Sequence, residues 1–297
     1  MNEYTFALLD PRPIDAAREA NDAVLNNNAV LGVEVTVPAL AKRCSLGNVD
    51  PQHLGNDASR AAIEDALSLP LPPEGATLAT VRADIDSLGS MAILGLRASG
   101  ATLSTETESR ARQIATADKE ISGNWPGQKP IAQPEDYLTE TSILSAVAQD
   151  FKRPVAERVA DLRAWLQDGG FEGRSAIQER LFGEVGRALG NLAIRRTVSG
   201  LAVVEGNHRL AMSLGYSQAP VVVATNPAFR FAGGEPHRKH TVARWNSEQP
   251  MDWDGLKQDL QEAEAGWGGS SSILGSPQGQ PSQLTTGEVV NLTEQHL

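Results

Sequence analysis

The chain has little cysteine, little positive charge and no long apolar run. Cys44 is the one cysteine among 297 residues, which excludes an internal disulfide and a zinc site built from several thiolates. No apolar run reaches the length of about 18 residues that a membrane-spanning helix needs. Charged side chains recur through the N-terminal segment, where a signal peptide would have an apolar core. We therefore expect a soluble, cytoplasmic protein.

Acidic residues outnumber basic ones, with 37 Asp and Glu against 26 Lys and Arg and a formal net charge of −11. Binding to long nucleic acid depends on basic patches that neutralise phosphates, so we expect no such partner. A small phosphorylated substrate is compatible with this charge, because a metal ion and a few arginines supply positive charge locally. We likewise expect no membrane partner, and a homodimer stays open.

Several common catalytic signatures are absent from the sequence. No Gly-x-Gly-x-x-Gly follows a strand pattern, and there is no Walker loop, Gly-x-Ser-x-Gly elbow or His-Glu-x-x-His pair. These absences disfavour dinucleotide-binding, P-loop, serine-hydrolase and zinc-protease mechanisms.

Strand and helix patterns alternate in the first half, helices fill the middle, and strands return late. We predict strands at 5–9, 30–37, 198–205, 220–225 and 240–245, one more ending at Asp84, and helices at 14–25 and, capped by Asp57, at 58–67. This order indicates an α/β fold with a mainly parallel sheet in the N-terminal domain, joined by helices to a smaller α/β C-terminal domain. The predicted parts are a metal-binding domain at 1–135, a helical connector at 136–195 and a substrate-binding domain at 196–297.

A pair of carboxylates follows a buried strand in the first half. The apolar run from Leu78 ends in Asp84-Ile85-Asp86, and a helical pattern begins at once. Ligands of open α/β sheets bind in the crevice beyond the strand ends. Two carboxylates this close repel each other unless a cation lies nearby, which makes Asp84 and Asp86 candidate metal ligands. The alternative is that Asp86 or Ser87 is an ordinary helix cap and Asp84 a solvated loop residue.

A second acidic cluster lies about thirty residues earlier, around Asp50 and His53. Carboxylates and one imidazole suit Mn²⁺ or Mg²⁺, so Asp50 is a third candidate ligand. His53 is a candidate ligand or general acid, and Asp118, from a later helix, is a candidate to complete the site. The alternatives are an ordinary turn at Asp50 with His53 at the surface, and an exposed Asp118 on a helix beside Lys119.

Positive charge and glycine gather in the C-terminal third. Phosphate or carboxylate is bound by arginine and lysine side chains and by backbone nests of glycine. The candidate catalytic residue here is His208, and the candidate substrate-binding residues are Arg209, Arg238, Lys239, His240, Gly268 and Gly269. The alternatives are that His208 is only a polar residue at a strand end, that the basic residues form a solvated face, and that the glycines belong to a flexible Gly/Ser linker.

These segments resemble the DHH phosphoesterase superfamily. Residues 83–90 are similar to its Asp-x-Asp strand motif, residues 50–53 to its Asp-His-His motif, and residues 266–269 to its glycine-rich C-terminal element. The resemblance implies two Mn²⁺ or Mg²⁺ ions, Asp118 as a further aspartate ligand, and Arg238 as a phosphate-binding residue of a smaller second domain.

The chain departs from that family in two ways. Pro51-Gln52 stands where the family has its middle histidine, and Asp50 precedes Asp84 instead of following it. The number of bound metals, two, one or none, therefore stays open.

The order of charges along the chain, with carboxylates early and cations late, favours two domains that enclose a substrate. We predict a metal-dependent phosphoesterase that hydrolyses a nucleotide or short oligonucleotide through a metal-activated water. The alternatives are a non-catalytic protein that binds a small ligand and has lost its metal site, and a hydrolase of a different bond.

Overall fold

The computed structural model describes residues 4–12, 14–26, 29–55, 57, 59–119, 130–230, 234–245, 249–277 and 279–297. The chain forms two compact units. The first comprises Met1–Lys119 with Thr139–Gln178, and the second comprises Glu120–Leu138 with Glu179–Leu297. Most of the predicted helical connector is thus divided between the units, with residues 139–178 in the first and 179–195 in the second.

Each unit contains one sheet. The strands of the first sheet are β1 Thr5–Leu8, β2 Val30–Val33, β3 Asn48–Val49 and β4 Thr77–Thr80, in the spatial order β1-β4-β2-β3, with every pairing parallel. The strands of the second are β5 Ala193–Arg196, β6 Leu201–Glu205, β7 Val221–Phe229, β8 His237–Arg244, β9 Gly268–Gly269 and β10 Ile273–Gly275, in the order β5-β6-β7-β8-β10-β9. Only β6 and β7 pair in parallel there. The predicted α/β class with a parallel N-terminal sheet is confirmed.

Helices surround both sheets. They are α1 Asp15–Leu25, α2 Pro38–Ala41, α3 Ala62–Ala66, α4 Ile85–Ala98, α5 Thr105–Lys119, α6 Pro134–Tyr137, α7 Glu140–Ala148, α8 Val155–Asp168, α9 Arg174–Asn191, α10 Ala211–Tyr216, α11 Trp253–Ala263 and α12 Thr286–Glu294. Over the described part of the chain, no helix is long and apolar enough to cross a membrane.

The core of the first unit forms on the two central strands. All residues of β2 and β4 are buried, which is the burial that a parallel strand covered on both faces requires. Helix α4 lies in this core, with Leu88, Met91, Ile93 and Leu94 fully buried. The carboxyl ends of β2 and β4 are therefore anchored in rigid, packed structure.

Two predicted elements are shorter than their sequence patterns indicate. The strand predicted at 30–37 ends at Val33, because Glu34 adopts a left-handed backbone with φ 51° that a strand cannot continue. The helix predicted at 58–67 begins only at Ala62. Asp57 does not cap it, since the Asp57 carboxylate accepts hydrogen bonds from the amide and hydroxyl of Ser59.

Two glycines of α4 test how tightly this core is packed. A Cβ at Gly89 would lie 2.9 Å from Ile63 Cδ1 and 3.2 Å from Ile114 Cδ1, whereas a Cβ at Gly95 would meet nothing within 4 Å. Gly95→Ala should raise the free energy of unfolding by about 0.5–1 kcal/mol, since alanine is the better helix former. Gly89→Ala should lower it by about 1 kcal/mol, because overpacking outweighs that gain. Urea denaturation measures both, and an equal effect of the two changes would show that α4 is not packed as described.

Candidate metal centre

Four acidic residues lie at one edge of the parallel sheet. Glu34 follows β2, Asp50 follows β3, and Asp84 and Asp86 follow β4. Because these strands are parallel neighbours, their carboxyl ends meet at the same edge. Asp118, in the last turn of α5, joins them. The structure thus brings together the four predicted aspartates and adds a glutamate that the sequence patterns did not indicate.

Glu34 connects two groups of candidate ligands. One group is Glu34, Asp50 and His53, the other is Glu34, Asp86 and Asp118, and the ligand atoms within each lie within 4.8 Å of one another. The side chain is 2% exposed, and its Oε2 has no hydrogen-bond partner among the described residues. An unpartnered buried carboxylate oxygen is costly, and a bound cation is one way to compensate it.

His53 is oriented by Asp50 within the first group. Asp50 Oδ1 accepts hydrogen bonds from the His53 amide at 3.0 Å and from its ring Nδ1 at 2.8 Å. Nδ1 also lies 3.8 Å from Glu34 Oε1. The other ring nitrogen, Nε2, accepts from Arg82 Nη1 at 2.9 Å, which fits a neutral imidazole with its proton on Nδ1. Asp50 Oδ2 is buried with no partner among the described residues.

Asp86 and Asp118 have more partners in the second group. The Asp86 carboxylate accepts the amides of Ala62 at 2.7 Å and Ile63 at 2.9 Å, and so begins helix α3. Asp118 Oδ2 accepts from Gln52 Nε2 at 2.6 Å. These hydrogen bonds orient both carboxylates at the cost of part of their capacity to bind a metal.

Asp84 begins the next helix and also contacts Arg82. Its Oδ1 accepts the Ser87 amide at 3.0 Å as the N-cap of α4, and its Oδ2 lies 3.3 Å from Arg82 Nε. Asp84 is therefore itself the helix cap, a role that the alternative interpretation assigns to Asp86 or Ser87. The cap leaves Asp84 close enough to Glu34 to affect the ionisation of that glutamate.

Crowding changes the proton affinity of these carboxylates. Burial, with repulsion from Asp84 and other nearby carboxylates, raises the pKa of Glu34, and burial with repulsion from Asp118 raises the pKa of Asp86. Burial and repulsion from Asp84 also raise the pKa of Asp118. Burial acts in the same direction on Asp50, but hydrogen bonds from His53 outweigh it and lower the pKa of Asp50. Without a cation the cluster therefore retains protons.

The donor set fits a hard divalent cation. Carboxylate oxygens with one imidazole are the ligands that Mg²⁺ and Mn²⁺ accept, and no thiolate is present in the cluster. The unpartnered oxygens Glu34 Oε2 and Asp50 Oδ2 are the atoms best placed to bind it, since each lacks a competing hydrogen bond in the described structure.

Gln52 and Arg82 are two further residues of the site that the sequence patterns missed. Gln52 contacts Asp118 although the two positions are 66 residues apart, so no local pattern indicates the pair. Arg82 precedes the Asp84-x-Asp86 motif by two residues and gave no distinct signal. One feature of the sequence could have indicated Glu34: it is an acidic residue directly after a wholly apolar strand.

The remaining predicted residues belong to the second unit. His208 Nδ1 accepts the Leu210 amide at 3.2 Å, and Arg209 forms an ion pair with Glu184. Arg238 donates to the Leu284 carbonyl at 3.1 Å. Their assignment to catalysis and substrate binding stays a prediction.

His240 and Lys239 make internal contacts. The His240 ring is fully buried, with Nδ1 2.9 Å from Thr225 Oγ1 and Nε2 2.9 Å from the Leu284 carbonyl. Lys239 donates to the Ser276 carbonyl. In the segment around them, residues 231–233 lie outside the described residues.

Gly268 and Gly269 form the exposed strand β9. A Cβ at Gly269 would overlap the carbonyl of Ile273, so the pairing of β9 with β10 requires glycine there. Their predicted role in binding an anion is not tested by this contact.

Comparison with known proteins assigns no family to this chain. No protein-family model and no curated protein matches the sequence. Among solved structures, the chain is similar to a pGpG-specific phosphodiesterase, PggH from Vibrio cholerae, with a TM-score of 0.43 and 10% identity over 90% of this chain and 97% of that one. A likeness of that degree leaves the function to be argued from this chain's own residues.

The raised pKa values predict how stability depends on pH. In metal-free protein, the native state retains protons on Glu34, Asp86 and Asp118 above the pH at which the unfolded chain has lost them. The free energy of unfolding should therefore fall as pH rises above about 4.5, by up to about 1.4 kcal/mol per pH unit for each retained proton. Carboxylates with a lowered pKa are ionised in both states over most of this range and contribute little slope. The lowered pKa values of His208 and His240 contribute a slope of opposite sign below about pH 6.5, so the difference between the wild type and Glu34→Gln isolates the contribution of Glu34.

Urea denaturation in EDTA between pH 5 and pH 8 measures this slope. Glu34→Gln should reduce it, and Glu108→Gln, at an exposed position of α5, should leave it unchanged. Added Mn²⁺ should reverse it, because the metal binds the deprotonated carboxylates. A metal-free protein equally stable across this range would contradict the described electrostatics.

Proposed function

We propose that the protein is a metal-dependent phosphoesterase whose reaction takes place at the carboxylate cluster of the first unit. The observation that carries this proposal is the buried Glu34 carboxylate, which has an unpartnered oxygen and belongs to both groups of candidate ligands. A surface cluster of acids needs no compensation, but a desolvated and crowded one must either retain protons or bind a cation.

Glu34 and Asp50 would hold one cation beside His53, and Glu34, Asp86 and Asp118 a second. Bound there, a divalent cation polarises a phosphoryl oxygen and lowers the pKa of water. Asp84 adds negative charge next to both groups while it caps α4. The proposal thus includes two bound cations, each of them Mn²⁺ or Mg²⁺.

The chain's own residues orient the reacting groups. Asp50 holds the His53 ring with its proton on Nδ1. The other ring nitrogen, Nε2, which accepts from Arg82, is therefore the atom at which this histidine can take up and return a proton. Gln52 fixes the Asp118 carboxylate, and the α3 amides fix Asp86. These residues are held by packed elements, which keeps the geometry in place before substrate binds.

A nucleotide or short oligonucleotide is the substrate we propose. Support comes from the resemblance of Asp84-x-Asp86 and of residues 50–53 to the DHH motifs, together with the acidic net charge, which disfavours long nucleic acid. Arg238, Lys239, Gly268 and Gly269 stay proposed substrate-binding residues of the second unit.

A protein that binds a small ligand without hydrolysing it is the second candidate. Two observations favour it: Gln52 replaces a motif histidine, and both oxygens of Asp86 already accept backbone amides. Each reduces the binding capacity of the second group of ligands.

Hydrolysis of bis-p-nitrophenyl phosphate and of a panel of dinucleotides, with and without Mn²⁺, tests the proposal. Gln52→Ala should lower turnover by about 10- to 100-fold, the range for loss of a partner that orients a metal ligand. Glu34→Gln should lower it further, because the change affects both groups of ligands. Gln258→Ala, an exposed change on α11, is the matched control.

Turnover that requires Mn²⁺ and disappears in Glu34→Gln would support the phosphoesterase. Tight binding of a dinucleotide with no product released would overturn it in favour of the binding protein. Equal turnover with EDTA and with Mn²⁺ would overturn metal dependence.

A further inference from the structure

Arg82 is a cationic residue in contact with the carboxylate cluster. Hydrogen bonds fix its backbone just after β4. The Arg82 amide donates to Thr80 Oγ1 at 3.0 Å, and the Arg82 carbonyl accepts from the Thr80 hydroxyl at 2.9 Å and from the Ser87 hydroxyl. The side chain therefore starts from a rigid point next to the candidate ligands.

The Arg82 guanidinium makes two contacts with the cluster and is otherwise half exposed. Nη1 donates to His53 Nε2 at 2.9 Å, and Nε lies 3.3 Å from Asp84 Oδ2. These contacts use two of the five N–H donors of a guanidinium. The side chain is 49% exposed, whereas the Glu34 side chain beside it is 2% exposed. A ligand can thus reach Arg82 from solvent while Arg82 remains in contact with the site.

The negative charge of the cluster accounts for a cationic side chain at position 82. The cluster has five carboxylates, those of Glu34, Asp50, Asp84, Asp86 and Asp118. Two divalent cations would leave one negative charge uncompensated, and Arg82 supplies the missing positive charge. A phosphodiester anion approaching the cluster would otherwise meet net repulsion.

We propose that Arg82 is a substrate-contacting residue that binds the non-bridging oxygens of the phosphate. Arginine suits this task because its planar fork donates two parallel hydrogen bonds to a phosphate and stays charged at any working pH. This inference rests on the proposed function and adds to it a phosphate contact from within the first unit.

A purely structural role for Arg82 predicts a different outcome. If the residue served only to orient His53, its removal would weaken metal binding and leave phosphate binding on the loaded protein unaffected. Metal affinity and phosphate affinity therefore have to be measured separately.

The experiment compares Arg82→Ala and Arg82→Lys with Arg112→Ala, which removes an exposed arginine on α5. Calorimetric titration with Mn²⁺, and then with inorganic phosphate on the loaded protein, gives the two affinities without turnover. We expect Arg82→Ala to weaken phosphate binding by about 10- to 100-fold, the loss expected for a charge-assisted hydrogen bond. Mn²⁺ affinity should change by less than about threefold, Arg82→Lys should be intermediate, and Arg112→Ala should match the wild type.

Guanidinium ion added to Arg82→Ala should restore part of the phosphate affinity, and it should have no effect on Arg112→Ala. Unchanged phosphate affinity in Arg82→Ala, or a loss of Mn²⁺ affinity as large as the loss of phosphate affinity, would overturn the proposal. So would a wild-type protein that binds no phosphate.

Failure of the proposed function has a separate signature. A wild-type protein that binds phosphate through Arg82 and hydrolyses none of the phosphoesters retains the Arg82 contact and loses only the catalytic assignment. Hydrolysis at the wild-type rate by Arg82→Ala, with unchanged phosphate affinity, would overturn the Arg82 contact alone.

Discussion

The close packing of carboxylates at one edge of a parallel sheet is the constraint on which the first unit depends. Each negative charge is moved out of water and placed near others of the same sign, and both effects raise the free energy of the ionised cluster. Arg82 and the backbone amides of Ala62 and Ile63 compensate part of that cost. The remainder is what a divalent cation would supply.

The same carboxylates also organise the surrounding helices. Asp84 caps α4, Asp86 binds the first amides of α3, and Gln52 ties the loop after β3 to α5 through Asp118. Three helices are thus positioned by residues that are candidate ligands or lie beside them. Two of the carboxylates are pre-positioned by these contacts, since moving Asp84 or Asp86 would break a helix terminus.

Strand-end reasoning explains why the sequence predicts much of this site. Asp84 and Asp86 follow a short apolar run, Asp50 lies in an acidic cluster that comes directly after β3, and parallel topology brings these strand ends together. The same reasoning misses Glu34, because a left-handed residue ends β2 four residues before the pattern does. It also misses Arg82, whose contact with His53 joins positions 29 residues apart and has no local signature. Residue pattern alone likewise cannot show that His240 is buried between Thr225 and the Leu284 carbonyl.

The start of α3 shows how a tertiary contact can override local propensity. Asp57 is a good capping residue, yet it forms a turn with Ser59, and the helix starts where the distant Asp86 carboxylate meets the amides. The residue that sets the helix boundary is a candidate metal ligand more than twenty positions away. Local structure and site are therefore not separable in this part of the chain.

A crystal structure of the protein with Mn²⁺, with the metal located by its anomalous scattering, tests the central claim most directly. We predict a peak between Glu34, Asp50 and His53, and a second between Glu34, Asp86 and Asp118, with Glu34 in contact with both. A crystal grown at a saturating Mn²⁺ concentration that shows no anomalous peak at Glu34 would contradict the assignment of this cluster as a metal centre.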